Sequence, residues 1–151
     1  MKTIAAFFRL IRWPNLFFIA PTQSLFYFCI YQPLLIEKTG SHQLFYLLCA
    51  ASVLIAAAGY IINDYFDMHI DAINKPGKVV VDKLVKRRWA IVWHLIFSAA
   101  GLLASLYISY KIKSPVIVVA NFGCIVLLWF YSTTFKKRLL SGNVMIAALT
   151  A

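Results

Sequence analysis

The sequence predicts an all-α protein, a polytopic bundle of transmembrane helices, on three observations. Of its 151 residues 62% are hydrophobic and only 13% charged, where a soluble domain carries about a quarter charged residues; mean hydropathy is +0.79. Residues 13–36, 43–63, 89–110 and 114–135 contain no Asp, Glu, Lys or Arg, which leaves uncharged runs of 24, 21, 22 and 22 residues. The fifteen Lys and Arg residues fall very unevenly on the segments that join those runs.

Each run is long enough to cross a bilayer, which takes roughly 20 apolar residues, and unsatisfied backbone groups in lipid make the helix the natural way to do so. The predicted spans are 13–36, 43–65, 89–110 and 114–135. A fifth apolar run, 140–151, is still apolar at Ala151 and too short to cross. The expectation is therefore one domain over residues 1–151, with four complete spans and the start of a fifth. It reads as the N-terminal part of a longer protein or as a truncated product. The first run is too long for the core of a cleavable signal peptide and contains Pro14, Pro21 and Pro33.

Twelve of the basic residues lie before the first span and in the second and fourth loops, three in the first and third loops. The positive-inside rule then puts the N-terminus and the second and fourth loops on the cytoplasmic side, as in an integral protein of a bacterial-type inner (plasma) membrane. Topology accounts for the net charge of +10. Nucleic-acid binding is not expected, since no basic face with base-reading or stacking groups is present. Cys29, Cys49 and Cys124 are isolated within apolar runs, without metal-ligand or redox spacing.

The chemistry is concentrated where the second run ends, in Gly59-Tyr60-Ile61-Ile62-Asn63-Asp64-Tyr65-Phe66-Asp67-Met68-His69-Ile70-Asp71. With Asn63 at 0° on a helix, Asp67 falls near about 40°, Asp71 near about 80° and Asp64 near about 100°. Four oxygen-bearing side chains thus share one arc. Carboxylates crowded at the edge of hydrocarbon repel one another and need a cation. Mg2+ suits such hard oxygen donors, binding through one or two carboxylates while water and substrate phosphates fill its other positions. The residues alone leave a second reading open, in which the acids solvate the helix end or pair with the six cations of the second loop.

Asn63-Asp64-x-x-Asp67-x-x-x-Asp71 resembles the first aspartate-rich motif of the UbiA superfamily of intramembrane prenyltransferases. Ile11-Arg12-Trp13-Pro14-Asn15 resembles that family's N-terminal Arg-x-x-Asn segment. Asn74-Lys75-Pro76 is similar to the Asn-Arg-Pro that follows the motif, with Lys for Arg. Tyr131-Ser132, Lys136-Lys137-Arg138 and Gly142-Asn143 resemble the join between the family's fourth and fifth helices.

The resemblance implies the N-terminal half of a nine-helix bundle that transfers a prenyl group from a polyprenyl diphosphate to a lipophilic acceptor. In that family two aspartate-rich motifs hold two Mg2+ ions bridging the diphosphate. It implies Asn63, Asp67 and Asp71 as metal ligands, and Asp64, Asp67 and Asp71 as the catalytic acids. Arg12, Asn15, Lys75 and Lys78 are implied as substrate-binding residues, Lys75 standing where the family's Arg contacts diphosphate. Arg12 and Lys78 are equally accounted for as topology markers, and Asn15 by an interhelical hydrogen bond. The short Arg-Trp-Pro-Asn entry looks most like the branch that prenylates geranylgeranylglyceryl phosphate; an aromatic quinone precursor is the alternative acceptor. The family's second motif, Asp-x-x-x-Asp, does not occur within these 151 residues, so the chain alone is expected to be inactive or nearly so.

The chemistry of prenyl transfer asks for what this segment offers. Departure of a diphosphate needs its charge stabilised by a Lewis acid and basic side chains, and the allylic cation needs a dry pocket with aromatic walls. Tyr60, Tyr65 and Phe66 lie beside the motif, and Trp129, Phe130 and Tyr131 end the fourth run, where an interfacial aromatic belt is the plainer account. His94, within the third run, reads as a packed or hydrogen-bonded residue. A function of another class stays open: acidic residues on a membrane helix also line the pathways of cation-coupled transporters and channels, although those sites usually lie near the midplane.

Overall fold

A computed structural model describes residues 2–34, 42–74, 80–134 and 147, with the side chains of residues 2, 3, 69, 71 and 72 outside the description. The described chain is helical apart from its connections: α1 (Lys2–Leu10), α2 (Trp13–Phe26), a π-helical turn (Tyr27–Tyr31), α3 (Gln32–Leu34), α4 (His42–Asn74), α5 (Arg87–Ile112) and α6 (Val116–Thr133). It is an all-α membrane-type helix bundle.

The uncharged runs become helices. Three of them are long and apolar enough to cross a membrane: His42–Met68 within α4, Arg87–Ile112 and Val116–Thr133. The run expected as the first span is α2, the π turn and α3 in succession, helical from residue 13 to residue 34. Pro14 sits in the first turn of α2, where its missing N–H costs nothing. Pro21 lies inside the helix, and one residue on, the Thr22 hydroxyl donates to the Phe18 carbonyl at 2.7 Å. The expected fifth run lies outside the described residues, apart from Ala147.

Helix α4 is the hub, packing on α1, α2, α5 and α6. Its seam with α5 is built from small residues: Ala51, Ala57 and Ala58 are buried, and a Cβ on Gly101 would stand 2.7 Å from Ile55 Cγ1 and 3.3 Å from the Ala51 carbonyl. Gly59 admits Leu128 of α6 in the same way, with 2.9 Å left to its Cδ1. Such close approach lets dispersion hold helices together where lipid supplies no hydrophobic drive. Side-chain hydrogen bonds reinforce the seams. Asn121 of α6 donates to Ser105 Oγ of α5 at 2.7 Å, and Ser105 donates back to the Gly101 carbonyl at 2.8 Å. The buried His94 ring donates from Nδ1 to the Ala58 carbonyl at 3.0 Å. Large apolar side chains such as Leu103, Val119 and Phe122 face outward, as lipid-facing residues do.

Two features were not foreseen from the charge pattern. Residues before the first span form the short amphipathic α1, which buries Ala6 and Leu10 against Leu16, Ala57, Ile61 and Met68. Part of the long second loop also enters that core. Val80 and Val81 are buried there, fixed by a turn in which Leu84 and Val85 donate to the Val80 carbonyl at 2.9 and 3.1 Å.

Candidate active site at the motif end of the long helix

Helix α4 continues beyond its apolar stretch to Asn74, so Tyr60, Asn63, Asp64 and Asp67 ride on consecutive turns of one unbroken helix. Asn63 Nδ2 donates to Asp67 Oδ2 at 3.0 Å, the i to i+4 pairing that a helix face allows. Asp67 is buried, at 6% exposure, a position that a carboxylate holds only with polar partners.

Asp64 is met from another element. Arg12 Nη2 lies 2.6 Å from Asp64 Oδ1, with the two side chains 43% and 18% exposed. Arg12 comes from the corner between α1 and α2, where it holds φ 51 and ψ 51, a left-handed conformation that a non-glycine residue adopts at a cost of about 1–2 kcal/mol. The corner forms because α1 tightens at its end, Arg12 N donating to the Arg9 carbonyl at 3.2 Å, and α2 starts at once, Asn15 N donating to the Arg12 carbonyl at 2.8 Å. The same guanidinium lies 5.3 Å from the centre of the Tyr60 ring, and Arg87, at the start of α5, lies 5.4 Å from that of Tyr65. Those tyrosines are five positions apart, about 140° around a helix, so two cations grip the acidic turn from different sides.

Along the α1–α2 corner runs an open cleft of about 500 Å3, lined by Ala5, Phe8, Arg9, Arg12, Trp13, Pro14 and Asn15. Arg12 belongs both to this cleft and to the pair with Asp64. Aromatic walls stand on the α6 side of the motif: Phe66 meets Trp129 edge to face at 5.8 Å, and Trp129 in turn lies 5.5 Å from His94.

Of the residues singled out in the sequence, Asn63 and Asp67 are brought together, as are Asp64 and Arg12, and Asn15 joins Arg12 at the cleft. Asp71 lies on the last turns of α4 with its side chain outside the description, and Lys75 and Lys78 fall outside the described residues. Arg87, which the sequence offers as a cation over the cavity or as a topology marker, lies against Tyr65, and Arg9, counted in the sequence among the basic residues before the first span, lines the cleft. The signal for Arg9 was the spacing of Ala6, Phe7, Leu10 and Ile11, which makes a helix of the segment that carries it.

Mg2+ asks for hard oxygen donors. Asp67 and Asn63 offer hard oxygens one helical turn apart, in keeping with an ion held by one or two side chains and otherwise by water and phosphate. No group of three His, Cys, Asp or Glu residues that would form an all-protein cage occurs among the described residues. The pair by itself offers two oxygen-bearing side chains to such a cation.

The sequence profile of the UbiA prenyltransferase family matches residues 14–151. The chain is 36% identical over 104 residues to the digeranylgeranylglyceryl phosphate synthase of Methanosarcina barkeri, covering 69% of this chain and 34% of that one. To the enzyme of the same name from Methanothermobacter thermautotrophicus it is 36% identical over 113 residues, covering 74% and 38%. A solved structure of a digeranylgeranylglyceryl phosphate synthase in membranes matches with TM-score 0.83 and 25% identity, over 99% of this chain and 50% of its own. The chain thus spans little more than a third of the length of those curated relatives. Its long apolar helices and this kinship make it an integral membrane protein. By both sequence and fold, the chain belongs to the UbiA prenyltransferase family.

Proposed function

We propose that this chain carries the first half of the active site of a Mg2+-dependent prenyltransferase. Its donor would be a polyprenyl diphosphate, geranylgeranyl diphosphate by kinship, and its acceptor a prenylglyceryl phosphate in the membrane. The observation that supports this best is the hydrogen-bonded Asn63–Asp67 pair, with Asp67 buried, flanked by the Asp64–Arg12 ion pair at the end of the long helix. The named relatives support the acceptor.

In this reading Asn63 and Asp67, with Asp71 one turn further, hold the cation, which supplies Lewis-acid stabilisation of the departing diphosphate. Arg12 and Arg87 add positive charge beside it, and Lys75 and Lys78 follow in the connection that leaves α4. The bond broken joins the allylic carbon to the diphosphate, which leaves with the electron pair. The acceptor hydroxyl forms the new ether bond, and its proton goes to the diphosphate. Asp64, by holding Arg12, fixes one cationic wall rather than competing for metal. Phe66 and Trp129 keep water from the allylic cation and turn ring faces towards it. The twelve-to-three division of basic residues supports a cytoplasmic location for this end of α4. One acidic motif supplies one side of a two-metal site, so the 151 residues alone are expected to bind donor and turn over little.

The test is binding of geranylgeranyl diphosphate to the chain in nanodiscs, with and without Mg2+, by calorimetry. Binding that requires Mg2+ and is lost in Asp67→Asn is expected. Binding indifferent to both sinks the proposal, and cation flux through reconstituted vesicles in its place would favour a conduction role.

A further inference from the structure

We infer that α1 is a docking surface for the lipid bilayer: it lies in the plane of the membrane interface, with Ile4 and Phe8 among the acyl chains. The inference goes beyond the prenyl-transfer reading and does not depend on it.

Nine residues are too few to hold a helix in water unaided, so α1 needs cover for its apolar sides. The bundle covers one of them. Ala6 and Leu10 are buried against Leu16, Ala57 and Ile61. The Phe7 ring lies 5.1 Å from that of Trp93 and 6.1 Å from that of Phe97. Ile4 and Phe8, one turn apart, form a second apolar stripe, and they are 64% and 48% exposed. At about 100° per residue, that stripe stands about 160° from the line of Ala6 and Leu10. No rotation of the helix lets the bundle cover both.

Depth decides what covers the second stripe. Trp93 and Phe97 are the fifth and ninth residues of the uncharged run 89–110, about 6 and 12 Å along α5 from its start. On α4, Ala57 and Ile61 also fall inside an uncharged run, 43–63. A helix that touches these four residues is level with the edge of the hydrocarbon, where interfacial helices bury an apolar face about 5–10 Å deep. At that level Ile4 and Phe8 meet acyl chains. The stripe is also continuous with the lipid-facing start of α2. Phe8 and Trp13 line the same cleft, and Trp13, Phe17 and Phe18 are 55%, 64% and 68% exposed. Charge agrees with this placement. Residues 1–36 contain Lys2, Arg9 and Arg12 and no acid, so nothing in the segment repels headgroup phosphates. The corner that carries Arg12 to Asp64 closes this helix. The bilayer surface thereby steadies one end of the segment that reaches the acidic turn.

The test is collision spectroscopy on the full chain in phosphatidylcholine nanodiscs, spin-labelled at Ile4→Cys or Phe8→Cys, in a background of Cys29→Ala, Cys49→Ala and Cys124→Ala. Collision with oxygen, which dissolves in hydrocarbon, is compared with collision with a water-soluble nickel chelate. Phe122→Cys, on the outer face of α6, is the lipid reference, and Lys86→Cys, exposed ahead of α5, is the water reference. At both α1 positions the oxygen-to-nickel ratio should exceed that of Lys86→Cys by at least about tenfold. A ratio equal to that of Lys86→Cys overturns the inference and puts α1 in water. Labels shielded from both reagents overturn it in favour of a protein occupant, whether a second copy or a further segment. Phe8→Trp, with all three cysteines in place, guards against a misfolded background. Its added emission should fall by at least about half on phosphatidylcholine brominated high on the acyl chain, and unquenched emission overturns the inference.

Discussion

Arg12 and Asp64, 52 residues apart in the chain, stand 2.6 Å from each other at the motif end of α4. The pair ties the entry of the first apolar run to the acidic turn of the next. It also sets one Asp of the motif against a protein cation, while Asn63 and Asp67 are joined to each other by a hydrogen bond of 3.0 Å.

Replacing Arg12 separates charge from backbone strain. Because its side chain is 43% exposed, solvent screening holds the ion pair to under about 1 kcal/mol. The left-handed backbone is another matter: Arg12→Gly relieves it, and Arg12→Ala does not. Arg12→Gly should therefore unfold at a higher temperature than Arg12→Ala, by the equivalent of about 1 kcal/mol. Both should bind geranylgeranyl diphosphate and Mg2+ more weakly than wild type. Equal melting temperatures for the two variants would count against strain at this corner.

Asp67→Asn keeps the shape of the acidic turn and removes its charge. The amide can still accept from Asn63 across the 3.0 Å contact, so the fold should be retained. Mg2+-dependent donor binding should fall by at least about tenfold. A variant that binds donor and Mg2+ as wild type does would remove Asp67 from the metal site.

Gly101→Ala should destabilise the bundle by about 1–3 kcal/mol, since its Cβ would press on Ile55 and on the Ala51 carbonyl. Gly123→Ala is the control. No atom lies within 4 Å of a Cβ built there, and an exchange of Gly for Ala in a helix favours folding by about 0.5–1 kcal/mol. Chemical denaturation in mixed micelles reads both, and the two changes are expected to have opposite signs.

Asn121→Ala and Ser105→Ala, alone and combined, measure the hydrogen bond that joins α5 to α6 at 2.7 Å. A coupling of about 0.6 kcal/mol is the norm for such bonds between membrane helices. A coupling near zero would assign that seam to packing alone.

The helices were legible because a missing charge is an unambiguous mark over twenty residues. Runs of that kind gave α4, α5, α6 and the stretch from residue 13 to residue 34. The end of α4 was less so: a hydropathy boundary falls near residue 65, but a helix needs hydrogen bonds rather than lipid, and α4 runs to Asn74. The acidic arc was legible for the same geometric reason, and Asn63 does meet Asp67. What composition did not reveal was pairing across the chain. Arg12 and Asp64 were both in view, yet only the fold brings them into contact. Helix α1 was hidden by its nine residues, too few for a span, and Val80 and Val81 by the charged loop around them.

The length of α4 has a mechanical consequence. No break interrupts it between Ala51 and Ile55, where Gly101 bears on it, and Asp67, where the chemistry is proposed. A helix of this kind transmits rotation as a shaft does. One residue inserted between Ile55 and Asn63 would turn Asn63, Asp64 and Asp67 together by about 100° and swing Asp64 away from Arg12, with every side chain of the turn still present. The small residues of the α4–α5 seam thus act as the bearing that sets the angle at which the acids are presented.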